Sequence, residues 1–431
     1  MKRLILLVVF SFVVTLVAGC LSSSHHDEKN EDNKSVTVKE RDNSSSPVAV
    51  PVATREIADQ LNKLQGEIIS LKYHVSGKDT FPRFFLNLPK KLYALVGEEL
   101  NIYFDNLVDG HDTDYDFDVN CSIGMQLERC FRVVPTEAGI YPLSIKATDK
   151  NGFSFVGETT IFVADSSAGT GKKRSLIIIG DSTTNNGTCV RRLNYNFAED
   201  PMSLETLGTR GNGGNRHEGR SGWTFKMYDT IEKSSDVFNP FFNPDSKAFD
   251  ATYYFSKTNV AKPDWFFINL GINDTFLYQD DQSLKKAIDD INILYDNTIK
   301  SILTASPKTK IGIVLTIPPN YSQDAFGKDY KNGQTRNRYK RNNVIWVNNL
   351  LNRYEGMENE QIYIVPVHTN LDTKYNMGFE DSPYNKRNPE IYASPRAHGG
   401  VHPAETGYWQ IADAYWFFLK AFEQYSETGN K

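Results

Sequence analysis

A serine stands at the end of a short apolar run, in Leu176-Ile177-Ile178-Ile179-Gly180-Asp181-Ser182, and a histidine stands far downstream in Val401-His402-Pro403. Between them lie His217-Glu218-Gly219-Arg220-Ser221-Gly222 and Gly271-Ile272-Asn273-Asp274. A serine hydroxyl is a weak nucleophile until a base takes its proton, and an imidazole titrates near neutrality. Ser182 and His402 are therefore a candidate nucleophile and base. Attack on an ester carbonyl puts negative charge on its oxygen, which needs donors already in place. The two intervening blocks supply candidates for that task. Together these residue types suit ester hydrolysis through an acyl-serine.

Such residues need elements to hold them. Residues 176–180, 265–270, 311–317 and 362–367 are compact apolar runs of the kind buried in parallel sheets. Helical stretches such as 283–303 separate them, and 405–422 closes the chain. This alternation predicts an α/β fold, a parallel doubly wound sheet with helices on both faces. Active sites form at the carboxyl edge of such a sheet. Upstream, residues 80–165 alternate in short strands with turns at Gly97-Glu98, Ala138-Gly139 and Lys150-Asn151-Gly152. That pattern predicts a small all-β sandwich of immunoglobulin-like type. The small polar stretch 166–173 marks the boundary, leaving 174–425 as the catalytic domain.

The N-terminus carries different information. Lys2 and Arg3, an apolar stretch over 4–17 and Ala18-Gly19-Cys20 make an export signal with a small-residue cleavage site. Val17-Ala18-Gly19-Cys20 resembles the bacterial lipobox, in which the cysteine is lipidated and becomes the mature N-terminus. Residues 1–20 are then a lipoprotein signal peptide and 21–52 a polar, disordered tether. Over 53–75, Ile57, Leu61, Leu64, Ile68 and Leu71 recur at three- and four-residue spacing, predicting an amphipathic helix. A lipid on Cys20 anchors the protein to a membrane with its bulk in water. The expected location is the bacterial cell envelope, at the outer membrane or cell surface and outside the cytoplasm. Export permits oxidation, and Cys121 and Cys130 are close enough for a small loop disulfide, whereas Cys189 reads as a buried small hydrophobe. A formal net charge of −5 and a pI near 6.0 give no reason to expect a nucleic-acid partner.

The four blocks, in this order across one α/β region, resemble the SGNH (GDSL-type) hydrolase superfamily over residues 174–425. With a preceding sandwich, they look like the bacterial extracytoplasmic members, many of them carbohydrate O-acetylesterases. The resemblance implies a flavodoxin-like sheet, Ser182 as nucleophile and His402 as base. It also implies an oxyanion hole built from the Ser182 N–H, the Gly219 N–H and the side-chain amide of Asn273. The implied substrate is an acylated, most simply acetylated, polysaccharide or oligosaccharide. A lysophospholipase or other lipid esterase, and a catalytically degenerate glycan-binding surface protein, are the alternatives. No cofactor is implied. Nor is a metal, since neither His-Glu-x-x-His nor a cysteine ligand spacing occurs.

One position departs from the family. The family usually carries Asp three residues before the histidine, and here that residue is Gly399. Either a backbone carbonyl orients His402, leaving a Ser–His dyad, or a carboxylate from elsewhere, such as Asp381, reaches in. His398 is read as lining the cleft. Trp223, Phe238 to Asn243 and Tyr253-Tyr254-Phe255 are either flat surfaces for a sugar ring or ordinary core. Arg336, Arg338, Lys340 and Arg341 are read as a solvated helix face, with an acidic glycan as the alternative contact. Lys172-Lys173-Arg174 reads as the solvated end of the linker.

Overall fold

The sheet that carries the site is parallel, as the four apolar runs predict, and has six strands. It belongs to a computed structural model that describes residues 85–426, apart from 235–236 and 386–387. Cys20, the 21–52 tether and the 53–75 helix lie outside the described residues. All of the described residues fall within one compact unit.

Seven strands come first: β1 (Lys91–Leu95), β2 (Leu100–Tyr103), β3 (Tyr115–Cys121), β4 (Met125–Gln126), β5 (Cys130–Val133), β6 (Gly139–Asp149) and β7 (Ser154–Ala164). They form a four-stranded sheet, β1-β7-β6-β3, and a three-stranded one, β2-β5-β4. The β1–β7 pair is parallel and the others are antiparallel. Leu92, Ile102, Phe131, Ile145 and Ile161 from both sheets share one core. Phe417 and Ala421 of the last helix enter that core as well.

The main sheet follows. It contains β8 (Lys173–Gly180), β9 (Ser203–Leu207), β10 (Glu218–Gly219), β15 (Trp265–Asn269), β16 (Lys310–Val314) and β17 (Ile362–Val365). Between β10 and β15 lie two short antiparallel pairs, β11 (Lys233–Ser234) with β12 (Val237–Phe238) and β13 (Phe242–Asn243) with β14 (Ala248–Phe249). One edge of β8 pairs first with β9 and then with β10, and its other edge pairs with β15. Alternation along each strand sends successive side chains to opposite faces, and here both faces are buried. Ile177, Ile179, Phe266 and Ile268 pack under the helices Asp281–Ala305 and Arg336–Tyr354. Leu176, Ile178, Trp265 and Phe267 pack under the C-terminal helix Glu405–Tyr425. Cys189 is buried in that second core, as expected. Among the described residues no helix is long and apolar enough to cross a membrane.

Several expectations are corrected. Cys121 and Cys130 are free thiols, not a disulfide. They lie on strands of two different sheets, and Cys130 Sγ faces Asn101 Oδ1 at 3.6 Å. The basic cluster is not a solvated face: Arg336, Lys340 and Arg341 are buried. Arg336 Nη2 donates to both carboxylate oxygens of Asp105 at 2.9 and 3.0 Å, and Lys340 Nζ donates to the Asp105 carbonyl at 2.5 Å. Arg341 joins Asp109 at 3.0 Å and Asp281 at 2.8 Å. The 166–173 stretch is no free linker either. Lys172 and Arg174 pair with Glu423 of the last helix at 2.9 and 2.7 Å, and Lys420 donates to the Ser166 carbonyl at 2.9 Å.

Candidate active site

Three of the four blocks reach the same edge of the main sheet because their strands are neighbours there. Gly219 at the end of β10 and Asn269 at the end of β15 both register with Gly180, the last residue of β8. The chain leaves β8 through Asp181 into a one-turn helix, Ser182–Asn185, capped by the Asp181 side chain on the Thr183 N–H. Asn269 Nδ2 donates to the hydroxyls of Thr183 and Thr184 at 3.2 and 3.0 Å, tying that turn to β15. Close packing explains the glycine of the second block, since a Cβ on Gly219 would lie 2.4 Å from the Asn185 nitrogen.

The fourth block arrives from an antiparallel hairpin, β18 (Met377–Asn385) with β19 (Asn388–Pro403). Its register slips between Met377, which pairs with Pro403, and Gly378, which pairs with His398. Residues 399–402 therefore bulge out of the ladder, and the bulge re-aims His402. Ser182 Oγ and His402 Nε2 lie 2.8 Å apart.

What stands in place of the absent aspartate is now visible. Gly399 and Gly400 both donate their N–H groups to Asp329 Oδ2, at 2.5 and 3.1 Å. Asn320 holds the same turn, through its N–H to the Gly400 carbonyl at 2.8 Å and its amide to the His398 carbonyl at 3.1 Å. His402 is exposed as a residue. The packing behind it lowers the imidazole pKa below the ordinary value of 6.5, and the charge of Asp329 opposes that shift. Asp381 is exposed and pairs along the hairpin with Pro395, away from this turn. Nothing in Lys328-Asp329-Tyr330 marks Asp329 in the sequence; it closes the helix Gln323–Asp329 and reaches the turn that carries His402 only through the fold. His398 is half-buried, with its ring packed over Gly378.

The donors around Ser182 differ from one another. The Ser182 N–H opens its helix turn and has no acceptor among the described residues. Asn273 Nδ2 gives one hydrogen to the Trp223 carbonyl at 3.1 Å, and an amide nitrogen carries a second. The Gly219 N–H is engaged: it donates to His217 Nδ1 at 3.1 Å. Burial, with Arg210 and Arg220 nearby, pushes His217 down to about 4, so the ring is neutral and accepts at neutral pH.

Beneath the site lies a buried polar layer. Arg220 Nη2 pairs with Glu218 at 3.0 Å, Tyr254 donates to Glu218 at 2.9 Å, and Tyr228 donates to the carbonyls of Gly180 and Glu218 at 2.8 and 2.6 Å. Burial raises two carboxyls here, Asp181 to about 6 and Asp274 to about 7, and each keeps one buried oxygen without a partner. The aromatic residues read as either platform or core divide between the two. Trp223, Phe241 and Tyr254 are buried, with Phe241 stacked on Tyr254 at 4.1 Å, while Phe238 is exposed.

A nucleophile hydrogen-bonded to an imidazole, with free amide hydrogens at a sheet edge, is the equipment of an acyl-transfer enzyme. The GDSL-like lipase/acylhydrolase family matches residues 176–415, more than half of the chain. The chain belongs to that family. It is accordingly a serine ester hydrolase. Among solved structures, a family 3 carbohydrate esterase of Clostridium thermocellum is 17% identical, with 59% of this chain and 98% of that one covered and a TM-score of 0.34. A family 3 carbohydrate esterase from Talaromyces cellulolyticus is 15% identical over 58% of this chain and 98% of its own, at a TM-score of 0.34. A carbohydrate acetylesterase from Sinorhizobium meliloti is 12% identical over 58% and 99%, also at 0.34. At these scores the likenesses carry no weight for activity. No curated protein matches the chain.

Proposed function

We propose that this hydrolase removes acetyl groups from carbohydrate outside the cytoplasm. The observation that carries the chemistry is the 2.8 Å contact between Ser182 Oγ and His402 Nε2. His402 Nε2 takes the hydroxyl proton as Ser182 attacks the ester carbonyl, and the resulting imidazolium returns it to the departing sugar hydroxyl. Water then enters, His402 takes its proton, and acetate leaves as Ser182 Oγ is reprotonated. The Ser182 N–H and the second Asn273 hydrogen hold the oxyanion in both steps. Gly219 shapes the floor, with its N–H held by His217. Asp329 is a positioning residue that fixes the turn carrying His402.

A small acyl group is supported by the polar surround: Asn185 Nδ2 donates to Ser221 Oγ at 3.0 Å and its oxygen takes the Arg210 guanidinium. The export signal and the lipobox-like Cys20 support an envelope location with a membrane anchor. We read 174–425 as the catalytic domain and the seven preceding strands as an immunoglobulin-like sandwich. Fluorophosphonate should label Ser182, and Ser182→Ala should abolish both labelling and acetate release from acetylated xylan, pectin or alginate. Preference for long-chain p-nitrophenyl esters over the acetate would overturn the carbohydrate reading in favour of a lipid esterase.

A further inference from the structure

Beside the nucleophile opens a polar cavity of about 510 Å³, lined by Asn185, Asn186, Arg191, Arg210, Asn215 and His217 among others. The chain links it to the catalytic serine. Asn185 ends the helix turn that Ser182 begins, and the His217 ring holds the Gly219 N–H. Three features give the cavity a sign. Arg210 uses its guanidinium on the neutral Asn185 Oδ1, at 3.1 and 2.8 Å, and no carboxylate among the described residues pairs with it. Arg191 contributes a second guanidinium, shared with Thr188 Oγ1 at 3.1 Å and with the exposed Glu405 at 3.4 Å. His217 is 3% exposed, and because Nδ1 accepts from Gly219 its proton sits on Nε2. That Nε2–H has no partner among the described residues and lies on the cavity side, near Gly187. The Nε2–H faces the open space of the cavity, so an anion seated there could accept from it and pair with the arginine at once.

We propose that this cavity is a subsite for an anionic sugar unit, a carboxylate-bearing residue of the same chain whose ester is cleaved at Ser182. This rests on the esterase reading and adds to it the class of substrate. The asparagines supply amides for ring hydroxyls, while Arg210, Arg191 and the His217 Nε2–H take the negative group. Charge-assisted hydrogen bonds of this kind are about twice as strong as neutral ones.

The test compares kcat/KM for acetate release from acetylated oligogalacturonides and from acetylated xylo-oligosaccharides, in the wild type and in Arg210→Gln and Arg191→Gln. The wild type should favour the anionic substrate, mainly through a lower KM, with the preference weakening as salt is added. In Arg210→Gln the ratio of the two should fall about tenfold. An unchanged Tm and far-UV circular dichroism spectrum for each variant show that it folds. Equal wild-type kcat/KM for the two substrates, or a ratio unmoved by both substitutions, would overturn the subsite. A preference for sulfated over carboxylated oligosaccharides would overturn the uronate assignment. If the wild type released no acetate at all, the esterase reading would fail separately. Calorimetric binding of unacetylated trigalacturonate against xylotriose to Ser182→Ala would still decide the subsite: tighter binding of the acid supports it, and equal or absent binding refutes it.

Discussion

His402, the proposed base, sits under two opposing influences, crowding that favours its neutral form and the Asp329 carboxylate that favours the charged one. Crowding wins, so kcat/KM should rise along an ionisation below pH 6.5 and stay level through neutrality. Asp329→Asn removes the opposing charge and should move that ionisation to still lower pH. It also weakens the hold on Gly399 and Gly400, so kcat should drop roughly tenfold to a hundredfold with KM little changed. An unmoved pH profile would show that Asp329 only supports the backbone. Restoring the family's aspartate is expected to harm the enzyme. Gly399 has φ +72, and a Cβ there would lie 2.6 Å from the His402 carbonyl oxygen. Gly399→Asp should therefore lower both Tm and kcat instead of completing a triad. Ser182 and His402 were legible because their blocks follow a buried-strand pattern and precede a terminal helix. Asp329 and the His217 Nδ1 contact were not legible, since neither depends on any local spacing.

Between elements, a buried tie joins Asp105 with Arg336 and Lys340 and locks the Arg336–Tyr354 helix against the segment after β2. Burial alone would raise the Asp105 pKa, but Lys340 and Arg336 overcome it and hold the carboxyl below its ordinary value. A carboxyl depressed in the folded state stabilises above its unfolded pKa, and that stability is lost as pH falls through the folded value. Asp105→Asn leaves two buried cations unpaired and should cost about 3–5 kcal/mol. Chemical denaturation at pH 7 should record that loss, and the gap to the wild type should close only below about pH 4. Linear sequence shows four basic residues on one helix and suggests water around them. Their acidic partners, Asp105, Asp109 and Asp281, come from distant segments, so only the fold reveals the pairing. The parallel strands were legible for the opposite reason, because an apolar run buried on both faces announces itself locally. The β18–β19 hairpin, with prolines and glycines along it, carries no such run.

For the molecule as a whole, the last helix decides how far the parts are independent. Tyr408, Ile411, Tyr415 and Phe418 face the main sheet, while Phe417 and Ala421 fill the core of the two smaller sheets. Tyr425 adds hydrogen bonds to the Gly139 and Val163 carbonyls at 3.1 and 2.7 Å. A linker composition at 166–173 suggests two bodies joined loosely, yet Lys172, Arg174 and Lys420 fasten that stretch to the helix and to its neighbours. Separate domains melt as separate transitions, whereas parts sharing a core and buried ion pairs melt together. Scanning calorimetry should accordingly show one cooperative transition for the region 85–426, and Asp105→Asn should lower all of it. Two resolved transitions, only one of them moved by the substitution, would show that the small sheets and the catalytic sheet fold on their own and that the helix merely rests between them.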